Sequence, residues 1–136
     1  MSTFTVDVVS AERKLFSGEA TGLFFTTTEG SMGVLPGHQP LLAALDIAGA
    51  YIELSEGGRE YVAVHRGYVY YSGGDTAVIL ADTAELAHEI DVEEERQQLL
   101  KLEQLKDPES VPFDVPAAAK RHRTRIEVAE KANGKG

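Results

Sequence analysis

No cysteine occurs in the 136 residues. That excludes disulfides, thiolate chemistry and every cysteine-based metal site, and it fits a reducing compartment. Long apolar runs are missing as well. The longest, Leu41–Leu45 and Ala77–Ala81, fall far short of the ~20 residues a membrane-spanning helix needs. The N-terminus, Met1-Ser-Thr-Phe-Thr-Val, has neither a basic start nor an extended apolar stretch, so no signal peptide is expected. Positive charge is scarce: 13 Lys+Arg stand against 22 Asp+Glu, for a net charge of −9. Such a chain is a poor partner for nucleic acid, whose phosphates need many cations, and for an anionic lipid surface. A soluble protein is expected, reaching a membrane only through a partner. With 43% apolar and 26% charged residues, it can bury the core of one ordinary domain plus an appendage.

Glycine is almost absent from the C-terminal part. Eleven of the 13 glycines lie in residues 1–84, and the other two are at the very end. The first part reads as strands and turns. Phe4, Val6 and Val8 alternate with Thr3, Thr5 and Asp7. Lys14–Gly18 reads as a turn. Gly22–Thr28 is β-branched and aromatic, hence a strand. Glu29–Gly33 reads as a loop, and Leu35-Pro-Gly-His38 as a tight turn. A meander follows through Ala50–Leu54, Glu60–His65, Tyr68–Tyr71 and Thr76–Ala81, with Gly67 breaking the chain. Turn signals at this spacing predict an antiparallel sandwich or barrel.

From Thr83 the pattern becomes helical. Asp91 and Glu94 resemble a capping box, and Leu99, Leu102 and Leu105 share one side of the helix that follows. Asp107-Pro108 stops it. Pro108, Pro112 and Pro116 make 107–115 a connector, and Asp114 with Pro116 suits the start of a second helix that frays at 133–136. The two helices are expected to pack antiparallel. The fold class is thus mainly β with α: a β-sandwich at 1–84, then a two-helix hairpin at 85–136. Acids crowd the first helix and cations cluster at 120–125 on the second, an arrangement that favours their pairing.

No catalytic signature emerges. The histidines His38, His65, His88 and His122 match no zinc spacing. There is no nucleophile elbow. Gly30–Gly33 and Gly73-Gly74 do not continue as phosphate loops, and no feature singles out a carboxylate pair for glycoside hydrolysis. The basic run 120–125 has no interleaved aromatics, which argues against nucleic acid. These residues alone predict a binding or assembly module, with no cofactor and no metal.

Three segments carry a resemblance: Val8-Val-Ser-Ala-Glu12 with Leu15-Phe-Ser-Gly18; Glu29-Gly-Ser-Met-Gly-Val-Leu-Pro-Gly-His-Gln-Pro-Leu-Leu42; and Ile79-Leu-Ala-Asp-Thr-Ala84 with Glu89-Ile-Asp91. Together they resemble the epsilon subunit of bacterial rotary ATP synthase, over residues 1 to about 95. The resemblance implies a non-catalytic rotor subunit on the cytoplasmic face of the cell membrane. It would sit peripherally against the gamma subunit and the c ring and couple them to ATP synthesis. Its hairpin, folded or extended, would restrain ATP hydrolysis and could reach the alpha and beta subunits. Ser10 and His38 match the positions that face gamma. Glu29, Gly30, Ser31, Met32 and Gly33 match the part that faces the c ring; relatives often carry an acid where Ser31 stands, and Glu29 is its substitute here. Some relatives bind ATP through an Ile-Asp-x-x-Arg-Ala motif. Ile90 and Asp91 match it and Glu85 is a further candidate, but Glu94 and Glu95 replace the Arg and Ala, and Arg96 is displaced by two residues. The resemblance with these departures implies weak ATP binding or none. A free-standing β-sandwich recognising carbohydrate is the competing expectation, with Tyr51, Tyr61, Tyr68, Tyr70 and Tyr71 as its only platform; alternation places half of these in the core.

Overall fold

The computed structural model describes residues 2–134. Met1 and the last two residues of the expected frayed end lie outside them. Six strands come first: β1 (Phe4–Ser10), β2 (Lys14–Thr27), β3 (Gly30–Val34), β4 (Leu41–Leu54), β5 (Arg59–Tyr71) and β6 (Thr76–Leu86). Two helices follow, α1 (Val92–Glu103) and α2 (Val115–Ala132), with short 3-10 turns at Ala87–Glu89 and Pro108–Ser110. This is mainly β with α, a sandwich followed by a helical hairpin.

The strands run in the order β1-β6-β5-β4-β2-β3, and β1 also pairs with β2, so the sheet folds back on itself. Five pairings are antiparallel. The sixth, β1 with β6, is parallel, Thr5 opposite Thr76, which departs from the all-antiparallel expectation. The fourteen-residue β2 makes the closure possible. Its first part pairs with β1 and its second part lies between β3 and β4. Three local readings change accordingly. Lys14–Gly18 opens β2 instead of turning. Residues Gly30–Gly33 belong to strand β3, because the edge of β2 supplies the hydrogen bonds that Gly-Ser-Met-Gly would not organise alone. β6 runs on to Leu86, past the change in composition.

Phe4, Val6 and Val8 are buried, as their alternation requires, and join Leu23, Ile52, Val62, Val69, Tyr71 and Ile79 in one core. Tyr71 brings a hydroxyl into it. That hydroxyl donates to Gly74 O at 2.9 Å and accepts from Gly37 N at 3.2 Å, tying the Leu35–His38 turn to the β5–β6 turn. A buried phenol is tolerated when both roles are filled.

The pleat inverts once, in three strands together. The core-facing residues are Leu45, Val69, Tyr71, Ala77, Ile79 and Ala81 on one side of the row Asp46–Arg66–Asp82, and Ala50, Ile52, Val62, Val64, Ala84 and Leu86 on the other. Odd numbers face inward below that row and even numbers above it. The paired register skips Asp46/Arg66 and Arg66/Asp82. Arg66 has φ 63° and is the only non-glycine residue among those described with positive φ. Gly67 follows with φ 135°, and a Cβ there would run into the carbonyl oxygen of Leu80. Gly67 therefore distorts β5 without ending it. The inversion divides the outer face of β4, β5 and β6 into two regions that present different residues.

One region lies under α2, which packs on β4 and β5, while α1 packs chiefly on α2. Asp91 caps α1 by accepting from Glu94 N at 3.1 Å. The reciprocal half of the capping box is missing, since the Glu94 carboxylate accepts from Gln98 at 3.1 Å. Asp114 caps α2 through Ala117 N at 3.0 Å. The helices pack as a pair, but α1 buries no residue fully, and α2 buries only Ala117, Ala119, Thr124, Val128 and Ala129. These small side chains let α2 lie close to the sheet. A Cβ on Gly49 would stand 2.9 Å from Val128 Cγ2, so the absence of a side chain at 49 sets how near the helix comes.

Candidate functional site

Below the inversion, the other region is uncovered. Residues paired across the strands form two rows, Leu42–Tyr70–Val78–Asp7 and Ala44–Tyr68–Leu80–Val9. Leu42 is 69% exposed, Tyr68 55%, Leu80 51% and Tyr70 47%. Four large apolar side chains side by side on one face of the sheet form a patch of the kind that marks contact sites. The turn carrying His38 borders the patch at the Leu41 end, and Ser10, paired with Ala81, borders it at the other. His38 is exposed, and its Nδ1 lies 2.8 Å from Gln39 O. Ser10 holds the β1–β2 turn, its hydroxyl accepting from Glu12 N and Arg13 N at 3.3 Å each. Two strands and a bend thus bring these residues to the margins of one face.

Glu29–Gly33 lie elsewhere, at the β2–β3 hairpin. Thr27 Oγ1 donates to Gly30 O at 2.9 Å and accepts from Glu29 N at 3.1 Å, which fixes the tip. Glu29, Gly30 and Ser31 are exposed there. Met32 and Gly33 are half-buried: Met32 packs against the core, and a Cβ on Gly33 would meet the Phe24 ring at 2.6 Å. Glu29 to Ser31 can present polar atoms to a partner, whereas Met32 and Gly33 shape the strand behind them.

The hairpin side is electrostatic. Arg125 on α2 donates through Nε to Glu85 Oε1 on β6 at 2.9 Å and through Nη1 to Glu95 Oε1 on α1 at 3.1 Å. The buried His65 on β5 donates to the same Glu85 oxygen at 2.7 Å, and His122 on α2 donates to Glu95 at 2.8 Å. Burial pushes the Glu85 carboxyl up, but the hydrogen bonds from His65 and Arg125 outweigh it and hold it below the usual range. Burial likewise works against the Arg125 cation, and Glu85 with Glu95 more than restores it, so its pKa is raised. Outside this group, Lys120 reaches Asp46 at 2.9 Å, Arg96 reaches Glu130 at 2.6 Å, and Arg13 reaches Glu89 at 2.8 Å.

The three charged residues considered for nucleotide have protein partners here. Glu85 is held by Arg125 and His65, Asp91 caps α1, and Arg96 is paired with Glu130. Ile90 lines a cleft of about 370 Å³ with Tyr61 and Ala129. A larger cleft, about 630 Å³, opens between α2 and β2–β5 and is lined by Met32, Tyr61, Lys120, Arg123 and Lys131. In its lining, Tyr51 is stacked on Phe24 at 4.8 Å between ring centroids, and the Arg59 guanidinium lies 4.4 Å from the Tyr51 centroid. Among the described residues, no group of three or more His, Asp or Glu is arranged to hold a metal ion, and no helix is long and apolar enough to cross a membrane.

The sequence reading anticipated charge pairing between the helices, but it did not connect His65, Glu85, Glu95, His122 and Arg125. Their spacings of 3 to 60 residues carry no periodic signal. The uncovered patch was hidden for another reason: Tyr68 and Tyr70 stand among five tyrosines of which alternation places half in the core, and only the pleat inversion decides which face they and Leu80 take.

Comparison with known proteins gives consistent results. Residues 3–87 match the family described as ATP synthase, Delta/Epsilon chain, beta-sandwich domain. A Streptomyces griseus protein named ATP synthase epsilon chain is 43% identical over 116 residues, 85% of this chain and 86% of that one. A protein of the same name from Nocardia farcinica is 45% identical over 97 residues, 70% of this chain and 73% of its own. Among solved structures, a chain of the Euglena gracilis mitochondrial ATP synthase shares the fold with a TM-score of 0.70 at 18% identity, covering 98% of this chain and 81% of that one. By the extent of these matches, the chain belongs to the epsilon-chain family of ATP synthases.

Proposed function

We propose that this chain is a non-catalytic subunit of the central stalk of a membrane ATP synthase, couples the gamma subunit and the c ring, and restrains ATP hydrolysis through its helices. The observation that carries the reading is the uncovered apolar patch of Leu42, Tyr68, Tyr70 and Leu80, on a chain of this family. An exposed apolar surface with two tyrosines suits a protein partner, and gamma docks there, with Ser10 and His38 at the margins. The exposed tip Glu29–Ser31 faces the c ring. The chain sits peripherally on the cytoplasmic face of the cell membrane, reaching it through these partners.

The domain division follows the same logic. Residues up to Leu86, the end of β6, form the assembly unit, and the rest forms the regulatory hairpin. With Glu85, Asp91 and Arg96 already engaged, Mg-ATP does not bind the isolated chain below the millimolar range.

Reconstitution with gamma tests the reading. Tyr68→Glu places a charge at the centre of the patch without touching the core. It is expected to abolish capture of gamma while the variant alone keeps its β-sheet circular dichroism. Undiminished capture would remove the patch from the interface. A chain ending at Leu86 is expected to retain gamma and to change ATP hydrolysis by the reconstituted complex; unchanged hydrolysis would count against the regulatory role.

A further inference from the structure

The hairpin has two interfaces, α2 on the sandwich and α1 on α2, and the guanidinium of Arg125 takes part in both. Nε donates to Glu85 on β6 at 2.9 Å and Nη1 donates to Glu95 on α1 at 3.1 Å. Packing alone would let the hairpin come apart in stages. α1 buries no residue fully, so it would peel from α2 first and leave α2 seated over Ile47 and Gly49.

We propose that Arg125 couples the two interfaces, so that the hairpin docks and releases as one cooperative unit. The argument is geometric. A guanidinium is a planar fork, and one good hydrogen bond fixes its plane. Once Glu85 has fixed Nε, Nη1 already points at Glu95, and the second bond forms without a second loss of side-chain freedom. The reverse holds as well: Glu95 orients the fork for Glu85. Arg125, Glu85 and Glu95 expose only 19%, 21% and 15% of their side chains. If either carboxylate is removed, the guanidinium stays half-buried with its charge poorly matched. His65 and His122 keep each carboxylate in place, one from β5 and one from α2. The coupling therefore passes from β5 and β6, through α2, to α1.

Amide hydrogen exchange on the full chain tests this, with Glu95→Gln, Arg125→Gln, their combination and Arg125→Lys. Glu95→Gln is expected to speed exchange in α2 as well as in α1, roughly tenfold in each, as expected of groups coupled through one network. In the Arg125→Gln background the same change is expected to leave α2 almost unaffected. Exchange in the buried part of β5 verifies that the sandwich is folded in each variant. An effect of Glu95→Gln confined to α1 would overturn the proposal, and so would an effect on α2 that persists without Arg125. Arg125→Lys keeps the charge but not the fork, and it is expected to release α1 and α2 faster than the parent chain. Exchange identical to the parent in that variant would also overturn it, and this arm stands even if Arg125→Gln does not fold.

Discussion

The sandwich and the hairpin are held by different forces. In the sandwich, Val6, Leu23, Ile52, Val62 and Ile79 are wholly buried, and strands distant in sequence interlock around them. In the hairpin the buried residues are three alanines, a threonine and a valine, all on α2, and α1 contributes none. What the hairpin lacks in apolar area it replaces with charge: Arg125, Lys120 and Arg96 each bridge elements far apart in the chain. The hydrophobic effect is non-directional and scales with buried area, whereas charge pairs are directional, sensitive to pH and salt, and can be exchanged for water. A sandwich held by apolar burial and a hairpin held largely by ion pairs follow from that contrast.

The sharpest way to test the contrast is to weaken the core. Ile79→Ala removes a fully buried side chain in β6 and is expected to cost about 3 kcal/mol. The whole chain should lose stability, hairpin included, and the urea midpoint measured by circular dichroism should fall. A loss confined to the hairpin signal would show that the two regions do not depend on each other as described.

Gly49→Ala acts on the boundary between them. The new methyl would stand 2.9 Å from Val128 Cγ2. The expected cost is about 1–2 kcal/mol of overpacking, borne by α2 docking, with the urea transition of the sandwich moving less. Exchange of the α2 amides is the readout. Protection unchanged in α2 would show that Val128 can step aside.

How far the sequence revealed all this depended on whether the cause was local. The Leu35–His38 turn, the alternation of Phe4, Val6 and Val8, and the caps Asp91 and Asp114 are set by a few neighbouring residues, and all are legible. β3 is not: Gly30 and Gly33 have poor strand propensity, and the strand exists because β2 offers an open edge. The inversion at Asp46–Arg66–Asp82 involves three strands at once, and no single segment records it. The patch and the helix-covered face both depend on that row, which is why the candidate site was only partly legible. His38 and Ser10 could be singled out by resemblance, but Tyr68 and Leu80 could not.

Acid sharpens the comparison further. Glu85 has a pKa held below its ordinary value in the folded chain. A group depressed in this way contributes stability that is complete above its unfolded pKa and is lost as pH falls through the folded one. The hairpin should therefore hold at neutral pH and loosen below about pH 4.5, the ordinary value for this carboxyl. The core around Ile79 contains no carboxyl group, so β6 amides there should stay protected at a pH where α2 amides do not. Simultaneous loss of both would place the acid-sensitive contact in the sandwich.

The smallest expected effect belongs to a pair that is short but exposed. Lys120 Nζ lies 2.9 Å from Asp46, closer than Arg125 Nη1 to Glu95, and the hydrogen bond from Lys120 holds the Asp46 carboxyl below its usual range. Yet the side chains are 48% and 36% exposed, and water competes for both charges. Exposed pairs of this kind contribute about 0–1 kcal/mol, and salt screens them. Asp46 also accepts from Ile47 N at 2.8 Å, a bond that survives loss of the lysine. Lys120→Met keeps most of the aliphatic stem and removes only the charge. It is expected to change α2 exchange by less than about threefold, with the difference vanishing in high salt. A tenfold effect that persists in high salt would mean that the rim of α2 is as tightly held as its centre. The distinction drawn between Arg125 and the other cations of the helix would then fail.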